Sequence, residues 1–417
     1  MKATKKRPAN AQAPDAQSVS AARQSLDGVV VVDLSHIYNG PYATFLMAMA
    51  GATVIKIEPL GGEHLRIRAR LGGAALPFAM LNCNKKAVTL NLKSERGRSL
   101  FLDMIRKADV VVENFAPGVT DRLGIGPAVL QKMNPRLVYA SSSGYGRSGP
   151  YRDYPAMDLT VQAMSGVMSI TGFPDREPVK AGPAVCDFFA GVHLFGGIMM
   201  ALYEREKTGK GRTVEVSMQE AVYASLSSNL GMYFGSGGKL PPRTGNRHGG
   251  LAEAPYNVYP TRDGYIAIIC NNNRHFHALL KAMGREDIKD DPRWCDLKSR
   301  IKHIDEVDKL VGQWTAGLDR QQLVELLLAH RVPHAPVREL PEVVNDPNMH
   351  ARGTLQWIDH PEMGRVVLQH SPIRFDGTPL LPLQPSTEAG AHNAAVYGEW
   401  LGVSRAELEQ LANDKVI

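Results

Sequence analysis

Apolar strand-like segments alternate with helical segments through the first 145 residues, and this alternation restricts the possible folds more than any other feature. Residues 28–34, with four consecutive valines, and residues 53–58, rich in β-branched side chains, are typical of strands buried in a parallel sheet, and a helical pattern at 41–51 separates them. Four further segments continue the alternation: a strand at 88–92, a helix at 95–108, a strand at 110–112 and a strand at 137–140. The pattern predicts an α/β fold with a Rossmann-like, doubly wound parallel sheet.

The loop after the first strand lacks the glycine pattern of dinucleotide-binding proteins. A GxGxxG sequence is expected there when the sheet binds a nicotinamide cofactor, because its glycines let the backbone approach the pyrophosphate. This chain has Ser35-His36-Ile37-Tyr38-Asn39-Gly40-Pro41 instead. A nicotinamide dinucleotide site is therefore not expected.

Most of the surplus charge lies at the N-terminus. The 417 residues carry a net charge of +6, and residues 1–24 contribute five basic side chains and one acidic side chain, which leaves +2 for the remainder. A nearly neutral body lacks the basic surface that binds nucleic acid, so small anionic ligands are the expected partners. Residues 1–24 are predicted to be a disordered tail.

Cysteine spacing and the N-terminal sequence indicate a cytoplasmic protein. The four cysteines are too widely spaced for a disulfide framework or a zinc site, so no metal is expected. Pro8 and Pro14 would interrupt the amphipathic helix of a mitochondrial presequence. The most apolar stretch, 188–203, is interrupted by glycines and is too short to span a bilayer, so it is predicted to be a buried helix without membrane contact.

A change in composition beyond residue 230 predicts a second domain. Residues 219–250 are interpreted as a linker helix followed by a glycine-rich loop. Residues 251–340, with one clear strand at 265–270 and three helical patterns, are interpreted as a smaller α+β domain. From about residue 345 the chain again has a strand-like segment and a final helix at 405–412.

Asp187 is the leading candidate for chemistry. It stands in Ala184-Val185-Cys186-Asp187-Phe188 at the front of the apolar helix. Because a helix N-terminus carries partial positive charge, Asp187 is interpreted either as an ordinary helix cap or as a desolvated nucleophile that the helix keeps ionised. Asp175 is the competing carboxylate, but it lies in a proline-flanked turn where solvation is expected.

Several short motifs follow one another along the chain: Gly40-Pro41, Asn84-Lys85-Lys86, Glu113-Asn114-Phe115-Ala116-Pro117-Gly118, Asp121-Arg122-Leu123-Gly124 and Gly144-Tyr145-Gly146. In kind and order they resemble the motifs of class III CoA-transferases of the formyl-CoA/L-carnitine (CaiB/BaiF) type. The resemblance extends from about residue 25 to the C-terminus. It implies an interlocked, ring-like homodimer, in which residues 25–218 and 341–417 form the large Rossmann-like domain and the smaller domain lies between them.

The resemblance also assigns roles to individual residues. Asp187 matches the family's catalytic aspartate. Asn114, Phe115 and Arg122 match the loop that holds the CoA nucleotide, where an arginine binds phosphate and an aromatic ring covers the adenine or pantetheine. The other CoA-binding positions are Leu90, Lys93, Tyr38 and Asn39. The substrate contacts and a mobile glycine lid are assigned to Arg66, Asp158, Arg247, His248, Gly249 and Gly250.

The resemblance implies covalent catalysis without a resident cofactor. Asp187 would attack an acyl-CoA thioester, form an aspartyl anhydride and then an aspartyl-CoA thioester, and pass CoA to an acceptor carboxylate. Coenzyme A and acyl-CoA are then substrates. Neither a metal nor a redox group is needed, because the covalent intermediates conserve the thioester energy.

Two alternatives stay open. An α-methylacyl-CoA racemase of the same fold pairs the equivalent aspartate with a histidine, but the matching position here is Met157, which cannot transfer a proton. The other alternative is a catalytically silent CoA-binding subunit, against which the presence of Asp187 argues.

Three departures from formyl-CoA:oxalate enzymes bear on the substrate. Tyr38 replaces a glutamine, Pro59 an arginine and Pro155 a lysine, which places oxalate specificity in doubt. Cationic or polar side chains that are candidates to bind a second carboxylate are His36, Tyr38, Arg68, Arg70, Arg247, His248 and His275. We expect a short dicarboxylyl-CoA, such as succinyl-CoA, as donor.

Overall fold

Six parallel strands form the centre of the protein. The computed structural model describes residues 23–68, 75–239 and 243–417, so all but two residues of the expected tail, together with Arg70, lie outside the described residues. The strands are β1 (Val30–Asp33), β2 (Thr53–Glu58), β3 (Lys86–Thr89), β4 (Val110–Glu113), β5 (Val138–Ser143) and β6 (Thr213–Ser217). Their order in the sheet is β3-β2-β1-β4-β5-β6, which confirms the doubly wound α/β fold. The strand order reverses between β1 and β4, and sheets of this kind bind ligands beyond the carboxyl ends of the strands at such a reversal.

Helices connect these strands and cover the sheet. They are α1 (Asn39–Met49), α2 (His64–Arg68), α3 (Ala75–Asn82), α4 (Glu95–Lys107), α5 (Val119–Arg122), α6 (Pro127–Met133), α7 (Asp158–Met164), α8 (Val167–Ile170), α9 (Val185–Thr208), α10 (Met218–Tyr223) and α11 (Ser227–Ser236). Val31 and Val110 belong to a core that contains residues of α1 and α9, whereas Val32 and Val111 belong to a second core with α4. This division follows from the alternation of side chains along each strand.

A separate core forms around a three-stranded antiparallel sheet. Its strands are β7 (Tyr256–Thr261), β8 (Gly264–Ile269) and β9 (His334–Pro336). Its helices are α12 (Asn273–Ala282), α13 (Leu297–Lys302), α14 (Ile304–Thr315) and α15 (Arg320–Ala329). Residues from Tyr259 to Val332 make up its apolar core, which contains no residue of the six-stranded sheet.

The C-terminal region packs on the parallel sheet. It contains α16 (Leu340–Val344), α17 (Pro347–Ala351), the hairpin of β10 (Leu355–His360) and β11 (Gly364–Gln369), a π-helical segment (Ala394–Trp400) and α18 (Arg405–Asn413). Val396, Tyr397 and Leu411 share one apolar core with Val32 and Ile55 of the sheet. The end of the chain therefore contributes to the same layer as its beginning.

The long helix α9 differs from its prediction in length. It has 24 residues and is long and apolar enough to span a membrane, which corrects the expectation that the segment is too short. The helix continues beyond the apolar run because Arg205 reaches the Asp109 carboxylate at 2.9 Å. Leu194 and Ile198 are fully buried against the sheet, as in the core helix of a globular domain.

Two predicted boundaries also differ from the structure. The strand expected at 88–92 is β3 and ends at Thr89, because Asn91 donates its backbone N–H to the carbonyl of Val416 at 2.8 Å instead of extending the sheet. The helix expected at 219–230 is divided by a 3₁₀ turn, Ala224–Leu226. There the Ser225 hydroxyl donates to the Val222 carbonyl at 2.6 Å and competes with the helical hydrogen-bond pattern.

Candidate active site

A large, mostly apolar cavity lies beyond the carboxyl ends of β1, β2, β3 and β4. Its volume is about 490 Å³, and its walls include Leu34, Ile57, Leu90 and Phe115, with the side chain of Lys93 among the few charged groups. It therefore brings together three of the predicted CoA-binding residues. An apolar pocket with a few polar groups at this edge of a doubly wound sheet is typical of a nucleotide site.

Asn114 connects the two loops that border this cavity. Its side-chain oxygen accepts the His36 backbone N–H at 2.7 Å, and its amide nitrogen donates to the His36 carbonyl at 2.8 Å and to Asn39 Oδ1 at 3.0 Å. The ring of Phe115 lies 5.1 Å from that of His36. Asn114 therefore shapes the site by holding a neighbouring loop, a role that its position in the motif did not predict.

Phe115 also borders a second cavity, of about 260 Å³, next to the carboxyl end of β5. Tyr145 and Tyr154 line it, with ring centroids 6.1 Å apart in an edge-to-face arrangement. Ala156, two residues before Asp158, lines the same space. This second cavity leads from the Phe115 loop toward the segment that carries Asp158.

Arg122 is the last residue of the one-turn helix α5, and its neighbour Leu123 and the first helix residue Val119 line the large cavity. Its guanidinium is exposed, and no carboxylate in the described part of the chain forms an ion pair with it. An unpaired guanidinium at the edge of a nucleotide-sized cavity is well placed to bind phosphate. Lys93 is similarly exposed at the opposite loop.

Asp187 lies in the first turn of α9 and is only 8% exposed. Within the described residues its carboxylate accepts no hydrogen bond. The described hydrogen bond between Asp187 and another element is donated by its backbone N–H to Asp158. Burial and the nearby charge of Asp158 raise the pKa of Asp187 to about 7. Both effects favour the protonated carboxyl group, whereas the partial positive charge of the helix N-terminus favours the ionised one.

The carboxylate of Asp158 provides the cap that α9 lacks. Ala184 is at the N-cap position and offers no side-chain acceptor, so Asp158 Oδ1 instead accepts the N–H groups of Cys186 at 2.9 Å and Asp187 at 3.3 Å. Gln162, which is fully buried, donates to Asp158 Oδ2 at 2.5 Å. Asp187 itself is thus not the cap of α9, so helix capping does not explain why an aspartate stands at this position.

Aromatic rings and a close backbone contact surround the start of α9. The ring of Tyr38 stacks on that of Phe188, with centroids 5.8 Å apart. One turn after Asp187, Gly191 meets α1 so closely that an added Cβ would lie 2.6 Å from the carbonyl oxygen of Asn39. Asn39 is itself buried. Tyr38 and Asn39 therefore border the nucleophile's helix and do not line the large cavity.

Arg66 is engaged inside the protein. Its guanidinium binds both carboxylate oxygens of Glu58, at 2.7 and 2.9 Å, and the carbonyl of Thr387 at 2.7 Å. Glu58 lines the large cavity, so Arg66 acts on that wall through a buried carboxylate. In this conformation the Arg66 guanidinium connects Glu58 with the Thr387 carbonyl, and a direct contact with a ligand stays a prediction.

The glycine-rich segment 245–250 is attached to both parts of the chain. Arg247 binds Asp308 at 2.7 Å and Asp305 at 2.6 Å, both on α14, while Gly245 donates its N–H to the Gly172 carbonyl at 3.0 Å. The two carboxylates raise the pKa of Arg247 against the opposing effect of its burial. Arg247 is therefore already paired and is not free to bind a substrate carboxylate in this conformation.

His248 and the following glycines form a tight turn. His248 Nδ1 accepts the Gly250 N–H at 3.1 Å, and an added Cβ at Gly249 would lie 2.6 Å from the side chain of Asn229 on α11. Among the described residues, no hydrogen bond connects this turn with Asp187. His275 lies at the start of α12 in the smaller core, and the side chain of Arg68 is outside the described set.

Known proteins similar to this chain are enzymes that transfer coenzyme A. The chain is 36% identical over 411 residues to the formyl-CoA:oxalate CoA-transferase of Streptomyces avermitilis, an alignment that covers 94% of this chain and 100% of that protein. It is 33% identical over 396 residues to the succinyl-CoA–D-citramalate CoA-transferase of Chloroflexus aurantiacus, covering 94% and 98% of the two chains.

The family follows from the match to its sequence model and from a solved structure. The model of CoA-transferase family III matches residues 26–393. The crystal structure of a CaiB/BaiF family protein from Brucella suis is similar with a TM-score of 0.79 and 33% identity, covering 93% of this chain and all of that one. The chain belongs to CoA-transferase family III, and the resemblance noted in its motifs is confirmed.

Proposed function

We propose that the chain moves coenzyme A from an acyl-CoA to a free carboxylic acid through covalent intermediates on Asp187. The observation that carries this proposal is a nearly buried carboxylate that accepts no hydrogen bond from the described residues. A desolvated carboxylate is a stronger nucleophile than a hydrated one, because no solvent shell must be removed before attack.

The first half of the reaction exchanges the donor acid for Asp187. An oxygen of the Asp187 carboxylate attacks the thioester carbonyl, the C–S bond breaks, and CoA leaves as a thiolate. The thiolate then attacks the aspartyl carbonyl of the resulting anhydride. This step breaks the anhydride C–O bond, releases the donor carboxylate and leaves an aspartyl-CoA thioester.

The second half repeats the two steps in reverse with the acceptor. The acceptor carboxylate attacks the aspartyl-CoA thioester and expels the thiolate, which then attacks the acceptor acyl carbon of the new anhydride. The products are acyl-CoA and the regenerated Asp187 carboxylate. One thioester is consumed and one is formed, the anhydrides conserve the energy between them, and no step changes an oxidation state, so the sequence of steps needs no redox cofactor.

The large cavity is proposed to hold the CoA nucleotide. Leu90 and Phe115 line its walls, and Lys93 and Arg122 offer unpaired cations at its edge. Apolar walls suit adenine, and cations at the rim suit the phosphates. The second cavity, between Phe115 and the Asp158 segment, is the proposed path of the pantetheine arm toward Asp187.

The reactive anhydride must be protected from water, and we assign this task to the segment 245–250. Its glycines permit movement, while the Arg247 pairs with Asp305 and Asp308 hold it in the present position. Gly249 and Gly250 are the residues of the segment proposed to approach the intermediates.

A short dicarboxylyl-CoA is the proposed donor. The relative from Chloroflexus is named for succinyl-CoA and D-citramalate, which both derive from acids with two carboxylates, and the relative from Streptomyces is named for formyl-CoA and oxalate, of which only oxalate has two. Pro59 and Pro155 remain departures from the oxalate enzymes, which favours a longer acid such as succinate over oxalate.

We also propose that the active form is an interlocked homodimer in the cytoplasm. Phe189, Val192, Met200 and Tyr203 of α9 are exposed apolar side chains on a helix whose other face is in the core, and a second copy of the chain would cover them. The four cysteines are unpaired, in keeping with a reducing compartment.

Intact-protein mass spectrometry tests the function. The wild type and Asp187→Ala are incubated with acetyl-, succinyl-, glutaryl- and oxalyl-CoA. One portion is quenched in acid for the mass measurement, and candidate acids are added to a second, unquenched portion in which the product acyl-CoAs are followed. A CoA-mass adduct on the wild type alone, together with exchange of CoA between acids, is the expected result.

Two other results would contradict the proposal. Exchange of the α-proton in a branched acyl-CoA without an adduct would establish the racemase. Tight CoA binding by both proteins without adduct, exchange or racemisation across the panel would favour the silent subunit.

A further inference from the structure

We propose that Lys85 is a positioning residue for CoA transfer. It fixes the loop between β1 and α1, and this loop in turn positions the surroundings of Asp187 and one wall of the nucleotide cavity. This inference rests on the proposed function, which places the nucleophile and the nucleotide on either side of the loop. Lys85 belongs to the motif Asn84-Lys85-Lys86, to which the chemistry of transfer assigns no role.

The Lys85 ammonium is held by four oxygen atoms in the interior of the protein. Its Nζ lies 3.0 Å from Asp33 Oδ2, 2.8 Å from Thr44 Oγ1, 3.0 Å from Asn82 Oδ1 and 3.0 Å from the backbone carbonyl of Pro41. The side chains of both Lys85 and Asp33 are almost completely inaccessible to solvent. The contact with the Pro41 carbonyl directly fixes the first turn of α1, where the loop ends.

Asp33 and a second buried lysine fix the near end. The Asp33 carboxylate accepts the Ser35 N–H at 2.9 Å and the Thr44 hydroxyl at 2.7 Å, and Lys56 donates to the Ser35 carbonyl. Burial alone would raise the pKa of Asp33, but the charges of Lys85 and Lys56 and these hydrogen bonds hold it well below its usual range. The pair therefore stays charged at neutral pH.

A buried ion pair is a poor source of net stability, because desolvation of two charges offsets most of their attraction. Its directional contacts define a single geometry more strictly than apolar packing would. The Asp33–Lys85 pair is hydrogen-bonded to Ser35 in the loop and to Pro41 in the first turn of α1, so it fixes the loop from both sides.

The loop carries contacts to both halves of the site. Tyr38 stacks on Phe188, the residue after the nucleophile, and the Asn39 carbonyl meets Gly191 one turn later. On the other side, His36 lines the nucleotide cavity and forms two backbone hydrogen bonds with Asn114. Displacement of the loop would thus change the nucleotide wall and the packing beside Asp187 together.

The test compares Lys85→Met with Arg205→Met. Arg205 is also a buried cation, paired with Asp109 at 2.9 Å, and Asp109 in turn accepts the Val30 N–H at the opposite, amino-terminal end of β1. Both variants remove the cation from an aspartate in or beside β1, which is fully buried in the case of Asp33 and 28% exposed in the case of Asp109. Only Lys85→Met affects the loop at the carboxyl edge.

Two quantities are measured on folded protein: the affinity for CoA alone, by calorimetry, and the single-turnover rate of CoA-adduct formation per active chain. For Lys85→Met we expect CoA affinity to fall about tenfold and adduct formation about a hundredfold, the order of loss caused by a misplacement of about 1 Å. Arg205→Met should lower the melting temperature and leave both quantities within about twofold of the wild type.

Wild-type values of both quantities in folded Lys85→Met would overturn the proposal and leave Lys85 a purely structural residue. If that variant does not fold, Thr44→Val removes one link between Asp33 and Lys85 at nearly constant volume and should give the same losses on a smaller scale. A wild type that forms no CoA adduct would show that the proposed function fails. In that case the CoA affinities of the two variants and the wild type alone decide whether Lys85 is a positioning residue.

Discussion

The Oδ1 atom of Asp158 accepts the backbone N–H of Asp187 at 3.3 Å, so the residue that caps the helix also brings a second negative charge close to the proposed nucleophile. The two effects act in opposite directions. The cap stabilises the start of α9, and the charge opposes ionisation of the carboxylate that must attack the thioester. The pH dependence of transfer follows from this pairing.

Transfer should lose activity below neutral pH. Only the ionised carboxylate is a nucleophile, and burial with the Asp158 charge raises the pKa of Asp187 to about 7. A plot of log kcat/KM against pH, measured with one acyl-CoA and one acid, should bend near pH 7 and fall about tenfold per unit below it. A profile that stays flat down to pH 5 would show that Asp187 ionises in the ordinary range.

Asp158→Asn should move this bend to lower pH. The amide keeps an acceptor oxygen for the Cys186 and Asp187 N–H groups but removes the charge, so the pKa of Asp187 should fall by about one unit. Asp158→Ala is the matched variant: it removes the charge and the cap together, and it should also lose about 1 kcal/mol of stability. An unchanged bend in Asp158→Asn would contradict the coupling.

Asp187→Asn should be more stable than the wild type at pH 8. The folded state raises the pKa of Asp187, so it binds the proton more tightly than the unfolded chain, and stability falls as pH rises from about 4 to about 7. At about 1.4 kcal/mol per pKa unit the asparagine variant should gain up to about 4 kcal/mol in the free energy of unfolding at pH 8. At pH 4 the two proteins should differ little, and denaturant unfolding at both pH values checks this.

The sequence predicted the parallel sheet for clear physical reasons, whereas the assignment of Asp187 as nucleophile stays a prediction. Each strand of a parallel sheet is buried on both faces, so the apolar runs at β1, β2 and β4 stand out without any alignment. The resemblance then separated Asp187 from Asp175, which lies in an exposed turn. The strand order and the identity of the residue that caps α9 depend on how distant segments meet, and local patterns contain no such information.

The feature least predictable from the sequence was which oppositely charged residues form ion pairs with each other. Arg247 was expected to meet a substrate carboxylate, yet Asp305 and Asp308, about sixty positions later in the chain, neutralise it. Arg66 was expected at the ligand and instead binds Glu58. A sequence shows which side chains carry charge, but pairing is decided by tertiary packing.

Arg122→Ala should weaken CoA binding without changing the chemistry of Asp187. A charge-assisted contact to phosphate contributes about 1.5–3 kcal/mol, so CoA affinity should fall about tenfold or more, by the same factor for every acyl-CoA. Arg136→Ala, which removes another exposed arginine on the same domain, is the control and should bind normally. Equal affinities of Arg122→Ala and wild type for three different acyl-CoAs would exclude Arg122 from the site.

Substitutions at two glycines of α9 separate an effect on the position of Asp187 from an effect on helix stability. A Cβ on Gly191 would lie 2.6 Å from the Asn39 carbonyl, so Gly191→Ala should push α9 away from α1, cost about 1–3 kcal/mol and reduce kcat with the same displacement. A Cβ on Gly196 would meet nothing within 4 Å in the same chain, so Gly196→Ala on the same helix should add up to about 1 kcal/mol through helix propensity and leave the contact between α9 and α1 unchanged. Melting curves and kcat are measured for both variants. Normal kcat in Gly191→Ala, despite a lower melting temperature, would show that the contact with Asn39 stabilises the helix without placing Asp187.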